Sequence, residues 1–213
     1  MIEAVIFDMD GLMINSEPAH FKAFQTVFKQ YSKSLNATTF QRYIGQSDLD
    51  QATDMVVRFD LPIDATELAT KKQHAYQQLL QTIEAREGLF ELLSQLKAIK
   101  LATAIASSSL LNEIETVVAA LRIQKSIDHL TSATEVEHGK PAPDILLLTS
   151  QKLGVRPEAC LVLDDAPSGV QAAVAAKMPV FAIPSDETAG LDFSDATKRL
   201  SSLREVFEAM QSL

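Results

Sequence analysis

Two short apolar runs, each ending in acids, constrain this chain more than any other feature. They are Val5-Ile6-Phe7-Asp8-Met9-Asp10-Gly11 near the start and Leu161-Val162-Leu163-Asp164-Asp165 far downstream. Each reads as a buried strand delivering carboxylates at its carboxyl end. Burying those groups costs several kcal/mol unless they are paired, protonated or bound to a cation. Taken alone, the first run also fits a strand ending in a turn, since Asp-Gly is ordinary turn chemistry. In an open parallel sheet, however, ligands bind beyond the carboxyl ends of the strands, so the two acid pairs can converge across most of the chain. Hard oxygen donors in such numbers suit Mg²⁺, which keeps several waters and commonly binds together with a substrate phosphate.

Two further segments offer what a phosphate needs. Leu101 to Ala106 reads as another buried strand, and Ser107-Ser108-Ser109 opens the amphipathic run that follows, gathering hydroxyls and N–H groups at an expected helix amino terminus. Lys140 stands in Gly139-Lys140-Pro141-Ala142-Pro143-Asp144, where the prolines restrict the backbone around it. Each has a plain structural alternative: a Ser run before a helix is a cap, and a loop lysine is solvated.

From about Glu17 to Ile83 the pattern changes to helical periodicity, seen in Phe21, Phe24, Val27 and Phe28, around Met55, Val56 and Phe59, and across Leu68 to Leu80. Asn36 and Asp64 are expected helix starts, and Leu61-Pro62 ends the helix before it. After Gly88 helix and strand alternate. Strands are expected over 100–106, near 127–131 and over 160–164, and helices to about Ala98, over 109–120, over 143–153, from Val170 to Ala176 and over about Leu203 to Met210. The expected fold is therefore α/β, a Rossmann-like parallel sheet core with an inserted α-helical domain. The boundaries are 1–14 and 84–213 for the core and 15–83 for the insertion.

Composition narrows the partners. The net charge of −9 argues against nucleic acid and anionic membranes, both of which reward a basic surface. No apolar run approaches the ~20 residues needed to span a bilayer, and the amino terminus lacks a basic region followed by an apolar stretch, so a cytoplasmic location is expected. Cys160 is the only cysteine, at the start of an apolar strand, where packing is its expected role.

The four segments together resemble the haloacid dehalogenase superfamily of phosphotransferases. Asp8 and Asp10 match its first motif, Ser107 its second, Lys140 its third, and Asp164 with Asp165 its fourth, in the family's order along the chain. Gly139 to Asp144 and Asp165 to Met178 look most like the branch of β-phosphoglucomutase and small sugar-phosphate phosphatases. The resemblance implies that Asp8 is the nucleophile, forming an aspartyl-phosphate, and that Asp10 carries the proton. It implies Mg²⁺ on Asp8, on the main-chain carbonyl of Asp10, on Asp165 and on Asp164 directly or through water. Ser107, Ser108 and Lys140 would hold the phosphate. The insertion stands where the family places its helical cap, hinged near Ile14 to Ser16 and Thr82 to Gly88. There His20 would donate to a phosphate or link closure to binding, or else be an ordinary surface histidine, and Arg42, Lys72 and His74 would contact substrate or, as helix charges commonly do, lie on solvated faces.

Some positions depart from the family. Gly45-Gln46-Ser47 is followed by Asp48 rather than the arginine with which sugar phosphomutases clamp a second phosphate, and an acid there would repel that phosphate unless Lys72 or Arg42 compensated. Ala166 replaces a usual Ser, Lys177 a usual Gly and Asn15 a usual Asp, while Arg86-Glu87-Gly88 lacks the usual Pro. The leading expectation is a Mg²⁺-dependent phosphatase of small phosphorylated metabolites, chiefly sugar phosphates, working as a monomer with a dimer as the alternative. The competing readings are a sugar phosphomutase using the same intermediate and a phosphate-ester binding protein with negligible turnover.

Overall fold

The computed structural model describes residues 1–43 and 48–213. The Gly45-Gln46-Ser47 segment therefore lies outside the described residues. The chain divides into two compact units, Met1–Asn15 with Glu84–Leu213, and Ser16–Ile83.

In the first unit β1 (Ala4–Phe7) is wholly buried, as its unbroken apolar run requires of a strand covered on both faces. The helical unit follows with α1 (Glu17–Gln30), α2 (Ala37–Phe40), α3 (Asp48–Arg58) and α4 (Ala65–Leu80). The first unit resumes with α5 (Leu89–Ala98), β2 (Ala102–Ser107), α6 (Leu111–Ala120), β3 (His129–Ser132), α7 (Asp144–Leu153), β4 (Cys160–Asp164), α8 (Pro167–Ala175), β5 (Val180–Ala182), β6 (Lys198–Arg199) and α9 (Val206–Met210). Among the described residues six strands form one parallel sheet in the order β3-β2-β1-β4-β5-β6. The strand order reverses between β1 and β4, the switch point where such sheets bind ligands.

Three sequence expectations need correction. The sheet gains β5 and β6, whose three and two residues are too short to show a periodicity of their own. The serine run does not open a helix: Ser107 is the last residue of β2, and α6 starts at Leu111. The start of α6 is held by the buried Glu113 carboxylate, which accepts from the Leu110 N–H at 3.0 Å, so a glutamate three residues in does the work assigned to a serine. Finally, α3 stops at Arg58, before Leu61-Pro62, because Asp60 turns left-handed at φ +48°.

The helical unit has its own core around Phe24, Phe28, Phe40, Tyr43, Met55 and Leu68. Asn36 and Asp64 cap α2 and α4, each side chain accepting a backbone N–H at 2.8 Å. No helix among the described residues is long and apolar enough to cross a membrane.

Candidate active site

Register brings the distant acids together. Phe7 pairs with Leu163, and the Asp8 N–H continues the ladder to the Leu163 carbonyl at 2.9 Å, so Asp8 and Asp164 leave neighbouring strands side by side. The Lys140 ammonium bridges them, 2.6 Å from Asp8 Oδ1 and 2.8 Å from Asp164 Oδ2. Asp164 Oδ1 accepts the Ala166 N–H at 3.0 Å, at the mouth of α8, where Pro167 has no N–H in need of an acceptor. Asp165 is the next residue, and its Oδ2 accepts from the Thr188 hydroxyl at 3.4 Å.

Two glycines make this crowding possible. A Cβ on Gly11 (φ +81°) would collide with the Asp165 carboxylate, and one on Gly169 would collide with that of Asp164. Neither position tolerates a side chain while the acids keep their places.

Asp8, Asp164 and Asp165 each offer an oxygen to a common point, these atoms lying within 4.8 Å of one another. At an effective dielectric of ~20, two like charges 4 Å apart repel by about 4 kcal/mol. One lysine does not neutralise three such carboxylates. Burial, then the Asp164 and Asp165 charges, raise Asp8 well above the usual carboxylate value against the pull of Lys140. Burial and the Asp164 charge push Asp165 up to about 7. Burial opposes the Lys140 charge, yet Asp164 and Asp8 outweigh it and hold that ammonium above its ordinary value. An all-oxygen, over-negative cluster of this kind fits a hard divalent cation.

Asp10 points its carboxylate elsewhere. Oδ2 accepts from the Ser109 hydroxyl at 2.7 Å and more distantly from Ser107 at 3.5 Å, while Ser107 Oγ also accepts the Ser109 N–H at 3.0 Å. The exposed Ser108 joins Asp8, Asp10, Ser107, Lys140, Asp164 and Asp165 in lining one cavity of about 160 Å³. That volume accepts a phosphoryl group but is smaller than the roughly 300–1,000 Å³ typical of whole-ligand pockets.

His20 belongs to the helical unit. Its ring stacks on Tyr76 with centroids 4.0 Å apart, and burial followed by the Lys72 charge pushes its pKa down to about 3. Lys72 corrects the sequence reading. It is fully buried rather than solvated, with its ammonium 2.6 and 2.7 Å from the Asp48 carboxylate and 5.0 Å from the Tyr76 ring centroid. The acid expected to repel a second phosphate is thus neutralised by its own lysine. Arg42 and His74 are exposed, as expected of charges on solvated faces.

Sequence reasoning missed Ser109, Gly11, Gly169 and Arg86. Gly169 carried a signal, since a glycine in the first turns of a helix is costly unless something approaches closely. Ser109 was one of three equivalent serines, and only the end of β2 decides which reaches Asp10. Arg86 carried none, its carbonyl partners lying 75 to 98 residues away.

The family model of the haloacid dehalogenase-like hydrolases matches residues 5–183. The fructose-1-phosphate phosphatase of Escherichia coli K12 is 32% identical over 82% of this chain and 92% of its own length. Hexitol phosphatase B of Escherichia coli O157:H7 is 31% identical over 96% and 94%. Among solved structures, the β-phosphoglucomutase of Clostridium difficile superposes with a TM-score of 0.78 at 24% identity, covering 100% of this chain and 96% of that one.

Proposed function

The chain belongs to the haloacid dehalogenase-like hydrolases, a family whose relatives of this chain are named as phosphatases, and within it we propose a Mg²⁺-dependent, cytoplasmic phosphatase of sugar or polyol monophosphates working through an aspartyl-phosphate. The observation that carries this reading is the convergence of Asp8, Lys140, Asp164 and Asp165 in one phosphoryl-sized cavity. Asp8 and Asp165 would hold the cation, joined by the Asp10 main-chain carbonyl. Asp164 has both oxygens engaged by Lys140 and Ala166, which favours a weaker or water-mediated contact. When bound, the cation supplies positive charge to the phosphoryl oxygens.

The residues then divide the work. With Oδ1 held by Lys140, the other oxygen of Asp8 attacks phosphorus, forming an acyl phosphate as the ester P–O bond breaks. Asp10, protonated, gives its proton to the departing alkoxide. Its carboxylate next takes a proton from water as that water attacks phosphorus, breaking the bond to Asp8 and releasing phosphate. Lys140 and Ser107 steady the phosphoryl oxygens throughout. The helical unit would act as a cap that selects the leaving group, with His20, neutral at physiological pH, available as a donor.

A phosphate-release screen over sugar and polyol monophosphates, with Mg²⁺ or excess chelator, tests the reading. Folded Asp8→Asn protein is expected to lose several orders of magnitude in turnover, and near-wild-type release from it would exclude the covalent route. One observation favours a second reading, a sugar phosphomutase: neutralisation of Asp48 by Lys72 removes the electrostatic obstacle to a second phosphate. Glucose 6-phosphate formed from β-glucose 1-phosphate and catalytic 1,6-bisphosphate, faster than phosphate is released from any ester, would select it.

A further inference from the structure

Arg86 is fastened at both ends. Its neighbour Ala85 bridges Ile14, and its own N–H donates to the Met13 carbonyl at 2.8 Å, fixing its backbone against the loop that leaves β1. The guanidinium then reaches three main-chain carbonyls: Nη1 donates to Gly11 and, at 3.3 Å, to Ile183, and Nη2 donates to Pro184 at 3.2 Å. One carbonyl lies in the loop after β1 and the other two follow β5. A planar fork with several N–H donors can span such a set, and losing it removes a donor from each of the three carbonyls.

Both tied segments close on the same side chain. Gly11 lies so near Asp165 that no Cβ fits between them. The segment after β5 starts with the Ile183 N–H on the Asp164 carbonyl at 2.8 Å and continues to Ser185 and Thr188. Ser185 and Thr188 hydrogen-bond to each other, and Thr188 donates to Asp165 Oδ2. The Asp165 carboxylate is held between two loops that Arg86 joins.

We infer that Arg86 is a positioning residue for Asp165 as a metal ligand, acting through the two loops. The inference rests on the reading that Asp165 holds the cation. Metal coordination tolerates errors of only about 0.2 Å in ligand position, and loss of outer supports of this kind weakens metal binding by about 10–100-fold.

The test is Mn²⁺ binding to substrate-free protein, read from the free-ion resonance in electron paramagnetic titrations, so that turnover plays no part. Arg86→Gln should raise the Mn²⁺ dissociation constant about tenfold. Arg86→Lys keeps the charge but not the fork, and should fail to restore wild-type affinity. Thr188→Val, with Arg86 intact, should weaken binding severalfold. Arg58→Gln breaks an exposed pair with Asp54 within the helical unit and should leave the constant unchanged even where it lowers the melting temperature as much. Wild-type affinity in folded Arg86→Gln or Arg86→Lys, beside a loss in Asp165→Asn, overturns the inference and leaves the metal reading standing. Should neither arginine variant fold, wild-type affinity in Thr188→Val overturns it equally. A wild-type protein that binds no Mn²⁺ ends both.

Discussion

At the scale of residues, the site is an arrangement of acids that needs glycine as much as it needs carboxylate. Gly169 leaves the space occupied by the Asp164 carboxylate. Gly169→Ala is therefore expected to displace Asp164, weaken its bridge to Lys140 and reduce kcat/KM by at least tenfold, at a stability cost of about 1–3 kcal/mol for the strained packing. Urea denaturation and initial rates on one preparation check both halves. Gly11→Ala should do the same to Asp165, with the added strain of a side chain at φ +81°. The acids themselves were legible because carboxylates at the ends of apolar runs have few bland explanations. Their supports were not. Ser109, Thr188 and Arg86 gain their roles only after the sheet order and register bring separate loops to one place, and nothing in their local sequence announces that.

At the scale of elements, six helices end alike. After α1, α3, α5, α6, α7 and α8 the chain turns left-handed at Ser32, Asp60, Lys100, Arg122, Gly154 and Lys177. At each, that residue's N–H returns to the carbonyl three back and the next residue's N–H to the carbonyl five back, as Lys177 does to Val174 and Met178 to Ala173. Only one of the six is glycine. The missing glycine at Lys177 was visible as a departure from the family, but its consequence is conformational rather than catalytic. A left-handed L-residue costs roughly 1–2 kcal/mol and glycine returns part of that gain as chain entropy, so Lys177→Gly should stabilise the protein by about 0.5–1 kcal/mol. A rise in the denaturation midpoint with an unchanged slope is the expected result. In α1, His20 makes a pH prediction. Its pKa falls from 6.5 to about 3 on folding, through burial and then Lys72, against the opposing pull of Asp48. The unfolded chain thus binds the proton first, so the contribution is present above about 6.5 and is lost as pH falls from there towards 3. A His20→Phe variant should keep the aromatic stack and show a shallower loss of stability over that window.

At the scale of the whole molecule, alternation of helix and strand was enough to foresee a parallel sheet, while the burial of Lys72 was not foreseeable, because its partner Asp48 lies 24 residues away. Each of the two units carries its own apolar core, one around the sheet and one around Phe24, Phe28 and Tyr43. Proteins built this way need not unfold in a single step. Asp48→Asn leaves the buried Lys72 ammonium without its counter-charge, beside the Tyr76 and Phe24 rings. Breaking a fully buried pair costs about 3–5 kcal/mol, but the Asp48 side chain is 37% exposed, so about 1–3 kcal/mol is the expected loss after allowing for water. That loss should fall on residues 16–83 alone. Hydrogen exchange read peptide by peptide should show faster exchange in α1, α3 and α4 with β1 and β4 unchanged, whereas added Mg²⁺ should slow exchange around the acids of β1 and β4 and leave the helical unit as it was. Equal acceleration in every peptide of the Asp48→Asn protein would mean that the two units unfold as one.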